Sequence, residues 1–116
     1  MHGSKLLRAT CVAILLAGLA PLTFAATADA DYEAGLQAAQ DFRYAEALAH
    51  FDAAAAQGNR DAMRSAGLML LYGRDLYGEE VPRDWIKAVH LLSAAALKGC
   101  RVSASVLRQL GVRYYG

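Results

Sequence analysis

Two of the three histidines, one of the two cysteines and a short acidic run are the side chains of this 116-residue chain that could do chemistry. His50 and His90 hold neighbouring places in two similar segments, Ala47 to Gly58 and Ala88 to Gly99, so stacking those segments would bring the rings near each other. A metal normally takes three or four ligands, and two imidazoles alone make a weak site. Both are expected as solvated or packed histidines, and no metal is expected. Cys100 follows Gly99 at the start of an expected helix, where the dipole and the adjacent Arg101 favour thiolate. A nucleophilic enzyme also needs a general base and an oxyanion donor, and no motif supplies either. An intermolecular disulfide through Cys100, or a half-buried inert thiol, is therefore favoured over catalysis. Glu79-Glu80, with Asp75 nearby, lacks the spacing of a calcium loop and reads as a solvated acidic loop. Arg64 either presents a guanidinium to a carboxylate-bearing ligand or pairs with Asp61 or Asp31. These residues point to no enzyme and to no cofactor.

The elements that would position these groups are helical. Apolar and small residues recur at three- and four-residue spacing, with no sustained alternation of the kind a strand shows. Five helices are expected: about Asp31 to Gln40, Tyr44 to Gln57, Asp61 to Tyr72, Asp84 to Lys98 and Arg101 to Tyr114. Gly58, Gly73 and Gly99 stand where left-handed caps would end three of them. Asp84 stands at an N-cap position, and Gly73 to Pro82 reads as a loop punctuated by two glycines and a proline. Ala47 to Gly58 and Ala88 to Gly99 match without a gap at an offset of 41 residues (Gly58 to Gly99). A period in this range marks stacked supersecondary units, each too small to bury its apolar face alone. Ala54, Ala55, Ala95 and Ala96 would let helices approach closely, with Phe51, Leu92, Leu48 and Val89 filling the space between repeats. The expectation is an all-α chain, an α-solenoid of antiparallel hairpins in the order A-B-A-B-A.

Lys5 and Arg8 precede an apolar stretch, Ala9 to Ala20, then Pro21 and small residues, which is the layout of a secretory signal peptide. Cleavage would follow Ala25, Ala28 or Ala30, leaving one helical domain over 31–116. An uncleaved anchor is the alternative, since Ala9 to Ala28 reaches the ~20 residues a span requires; Pro21 and the polar exit argue against it. Losing Lys5 and Arg8 takes the formal charge from +1 to −1. A near-neutral domain argues against nucleic acid or an anionic membrane as the main ligand. Cys100 would then be the one cysteine left, in an oxidising compartment, so no internal disulfide is possible.

From Ala62 onward the pattern becomes specific: Ala62, Gly67, Met69, Gly73, a loop, Val81, Asp84, Lys87-Ala88, Leu91-Leu92, Ala95-Ala96 and Gly99. This resembles the Sel-one-like repeat, a subfamily of the tetratricopeptide-like α-solenoids, over one complete unit. Tyr44 to Gly58 looks like the second helix of an ordinary tetratricopeptide repeat, and Leu110-Gly111-Val112-Arg113-Tyr114 resembles the opening of a further one. Ala66, Leu70 and the enlarged loop Arg74 to Tyr77 depart from the pattern. The resemblance implies a scaffold or adaptor that binds a peptide or protein and has no catalytic residues, and the signal-peptide layout sets the expectation of a periplasmic or secreted chain. Contact residues are expected on the A helices and the loop: Tyr32, Arg64, Leu68, Leu71, Tyr72 and Tyr77. The last helix carries Val102, Val106, Leu107, Leu110 and Tyr114 on one face. It either caps the last repeat or, with Tyr114-Tyr115, forms a sticky end for a homodimer or partner.

Overall fold

The computed structural model describes residues 26–113. The expected signal peptide at 1–25, and Tyr114 and Tyr115, lie outside the described residues. All regular structure among the described residues is helical: α1 over 26–40, α2 Tyr44–Ala56, α3 Arg60–Tyr72, α4 Arg74–Tyr77, α5 Trp85–Leu97 and α6 Arg101–Gln109.

Four of these helices end in the same way. After α2, the Asn59 amide donates to the Ala54 carbonyl and the Gly58 amide to Ala55. The pair recurs after α5, from Cys100 to Ala95 and Gly99 to Ala96, and after α6, from Val112 to Leu107 and Gly111 to Arg108. This is the Schellman arrangement, which consumes carbonyls the helix end would leave unpaired and needs a left-handed residue at its centre. Gly58, Gly99 and Gly111 supply it, with φ of 92°, 91° and 72°. The fourth instance ends α1, where Arg43 donates to Ala38 and Phe42 to Ala39, and the central residue is Phe42 at φ 59°.

The α2–α3 and α5–α6 corners are thus built alike, 41 residues apart, as the repeated sequence requires. Side chains start two of the helices. Asn59 caps α3 by accepting the Ala62 amide at 2.8 Å, and Asp84 caps α5 by accepting the Lys87 amide at 3.0 Å, as its place before the apolar run indicates. Cys100, the counterpart of Asn59, makes no such cap.

Helix α3 packs against both α2 and α5, and α6 packs against α5. The core is built from Ala47, Leu48, Phe51, Met69, Leu70, Leu71, Ala88, Leu92 and Leu107, all buried. The α3–α5 contact is close because Gly67 lies under Leu92: a Cβ there would stand 2.9 Å from Leu92 Cγ. Gly35 plays the same part for α1, whose backbone lies against the Phe51 ring. The first two turns of α1 are tied to the α2–α3 corner, where Gln57 Nε2 donates to Asp31 at 3.1 Å and Asn59 Nδ2 to Asp29 at 3.5 Å.

Three element boundaries differ from the sequence reading. α1 already runs at residue 26, five residues before Asp31, and its Ala28 is buried. The segment after Gly73 is not all loop: Arg74–Tyr77 closes one helical turn, with the Tyr77 amide donating to the Gly73 carbonyl at 2.9 Å. Tyr77 and the buried Val81 draw this segment onto the bundle. α6 stops at Gln109 rather than Tyr114, because Gly111 turns left-handed and its Schellman bonds close the helix. No helix among the described residues is long and apolar enough to cross a membrane.

Candidate functional site

The expected contact residues separate on burial. Leu71 is 3% exposed and belongs to the core, so it presents nothing to a partner. Its neighbour Leu68 is half-buried and lines a groove of about 230 Å³ between α1 and α3. Leu36 and Ala39 from α1, Ser65 and Met69 from α3, and Tyr77 from α4 complete most of the lining. Phe51 forms part of the floor. Tyr32 is half-buried, its ring 5.7 Å from that of Phe51, and it belongs to the packing of α1 on α2. Tyr72 is 47% exposed at the end of α3.

Tyr77 stacks edge-to-face on Tyr44, with centroids 5.1 Å apart, and Tyr44 in turn stacks on Phe42 at 6.2 Å. Such T-shaped pairs align the positive edge of one ring with the negative face of the next. Burial, reinforced by the neighbouring Tyr44 and Tyr72 hydroxyls, pushes the Tyr77 phenol above its ordinary range. The Tyr44–Tyr77 pair is a shared wall. On its far side opens a second, larger cleft of about 580 Å³, bounded by Phe42 and Arg43 at the end of α1, Glu46 on α2, and Gly78, Glu79 and Glu80 beyond α4.

Arg64 pairs with Asp61 at 3.4 Å, one of the partners its sequence position offered. It also lies beside Cys100. That thiol is 5% exposed at the head of α6, where the Ser103 hydroxyl donates to Sγ at 3.2 Å. Burial pushes the thiol up, but the hydrogen bonds from the Ser103 hydroxyl and amide and the Arg64 guanidinium outweigh it, and the thiol sits below its ordinary value. Buried in this way, Cys100 offers no sulfur to a second molecule in the folded chain, which removes the expected route to an intermolecular disulfide.

His50 does not join His90. Its Nδ1 lies 3.8 Å from Asp31 and its Nε2 3.8 Å from Glu46, while His90 faces a different cleft with Asp52 and Lys87, themselves paired at 3.0 Å. Among the described residues, no group of three or more His, Cys, Asp or Glu side chains could hold a metal ion.

The sequence reading named Leu68 and Tyr77 as separate contact residues, which this groove brings together, but did not name Leu36, Tyr44 or Ser65, and it read Glu79-Glu80 as a solvated acidic loop. Tyr44 opens α2 at a place where an aromatic has no capping role, and that was the available signal. Compared with protein-family models, curated proteins and solved structures, the chain finds no match.

Proposed function

We propose that this chain is a non-enzymatic helical-repeat protein of tetratricopeptide and Sel-one-like type, exported to the bacterial envelope or beyond, that binds a segment of another protein. In this reading α1–α2 and α3–α5 are successive hairpins of a short α-solenoid, and α6 is the first helix of a third unit. The repeated Schellman corner at Gly58 and Gly99 supports the repeat architecture. The observation that carries the binding reading is the groove between α1 and α3, the two A helices, where Leu36 and Leu68 stay half-buried and line an open space among the described residues. Apolar side chains beside polar ones such as Ser65, in a concave surface, are what a bound peptide segment requires. A two-hairpin groove is short, so modest affinity is expected.

The test is a crosslinking recovery from envelope extract with the native chain and a Leu36→Ala/Leu68→Ala variant whose helicity is confirmed by circular dichroism. A partner captured by the first and lost from the second supports the reading. Equal recovery by both overturns it.

A further inference from the structure

The larger cleft carries a more specific ligand chemistry than the groove. Its most unusual member is Phe42. The left-handed region costs a residue with a side chain roughly 1–2 kcal/mol, and the three equivalent caps in this chain are glycines. Phe42 is nevertheless held there, and the residue is 78% exposed rather than packed into the core. Strain of this kind, retained without burial in return, points to a role outside folding. The ring extends the row begun by Tyr77 and Tyr44, so three aromatic side chains line one cleft.

The charge on the opposite rim is negative. Arg43, the one cation in the lining, is already matched by Asp41 at 3.2 Å and by Glu46. Glu79, its side chain 87% exposed, pairs loosely at 3.8 Å with Arg74, itself 64% exposed, and Glu80 stands exposed beside it. Aromatic faces attract cations through the ring quadrupole, and carboxylates at the same mouth add to that attraction.

We propose that this outer cleft receives the guanidinium or ammonium group of a basic side chain, carried by a peptide whose apolar part lies in the adjoining α1–α3 groove. The inference rests on the groove reading, because Tyr44 and Tyr77 line both spaces and a peptide leaving the groove past Tyr77 enters the cleft. Phe42, Tyr44 and Tyr77 supply the ring faces, and Glu79 and Glu80 supply the counter-charge. An acidic or neutral side chain finds no matching partner there.

The test is a nuclear magnetic resonance titration of the isotope-labelled full chain with three capped heptapeptides: Ala-Leu-Arg-Ala-Leu-Arg-Ala, and the same peptide with Gln or Glu in place of both Arg. The arginine peptide is expected to shift the amides of Phe42, Glu79 and Glu80 and to bind more tightly than the other two. A Glu79→Gln/Glu80→Gln variant should weaken it about three- to tenfold and leave the glutamine peptide unaffected. Phe42→Asn should weaken it about threefold while raising the melting temperature, since Asn accepts the left-handed region more readily. That rise separates loss of a ligand contact from loss of fold. If all three peptides move the groove amides of Leu36, Ser65 and Leu68 while Glu79 and Glu80 stay unmoved, the inference is overturned and the groove reading stands. If the arginine peptide moves the outer-cleft amides alone, the groove reading falls and the inference falls with it in its two-part form, leaving a site for the basic group only. No shift with any peptide overturns the inference.

Discussion

Gly67→Ala is the sharpest probe of how α3 and α5 meet, because two effects of opposite sign act on one methyl group. In a helix interior, alanine is favoured over glycine by about 1 kcal/mol. The added methyl, however, would stand 2.9 Å from Leu92 Cγ, 3.1 Å from its Cδ2 and 3.4 Å from the Ala88 carbonyl oxygen. Leu92 is fully buried, so its branch carbon has nowhere to swing and α5 must shift as a body. Overpacking of this kind costs about 1–3 kcal/mol, near the upper end where a branch point is hit. The clash wins, with a net loss of about 1–2 kcal/mol and a fall in melting temperature of roughly 5–15 °C for a domain of this size. Leu92→Ala alone should lose about 2–5 kcal/mol. In that background the opposing carbons are gone, so adding Gly67→Ala should recover up to about 1 kcal/mol. The sign of the Gly67 substitution therefore reverses. All four proteins would be unfolded in urea under circular dichroism, with the same stabilising osmolyte present so that the weakest still folds. A Gly67→Ala protein more stable than the native chain, or an equal penalty in both backgrounds, would refute the close-contact reasoning.

Other expectations are simpler to state. Asp84→Ala removes the side chain that accepts the Lys87 amide at the head of α5 and should lower stability by about 0.5–2 kcal/mol, read from the same urea transitions. Tyr77 is held neutral by the fold above its ordinary pKa of 10.0, so the unfolded chain ionises first. Stability should be fully present below that pH and fall as it is passed, and Tyr77→Phe should flatten the decline. Cys100 is buried, so a thiol reagent should react with the folded chain at the rate of its opening, and the mass in solution should not change on adding reductant.

Much of this architecture is visible in the residues. Asp84 before an apolar run, and Gly58 and Gly99 after two others, mark helix ends because capping chemistry is local and depends on residue type. Gly111 carried the same signal, yet matching Leu110-Gly111 to the start of a further repeat extended α6 past its actual end. The left-handed Phe42 was not legible, since nothing in a phenylalanine announces that conformation; only the bonds back to Ala38 and Ala39 impose it. The Tyr44–Tyr77 wall joins residues 33 positions apart on a segment read as loop. Leu71 and Leu68 are equally apolar in sequence, and only the rotation of α3 puts one in the core and the other in the groove. The burial of Cys100 depends in the same way on where α6 meets α5.

The segment between α3 and α5 is shut at its base. The Asp84 amide donates to the Leu70 carbonyl at 2.9 Å, and Gly73 lies so close to Arg83 that a Cβ there would stand 2.7 Å from its backbone. Val81, fully buried, pins the returning strand of chain. With the neck fixed at these points and Gly78 holding the left-handed turn that closes α4, the composition of 79–80 is decoupled from the register of the two helices below. That tip can be treated as an interchangeable cassette: residues exchanged there would change what the outer cleft meets, while the bundle that carries it keeps its geometry.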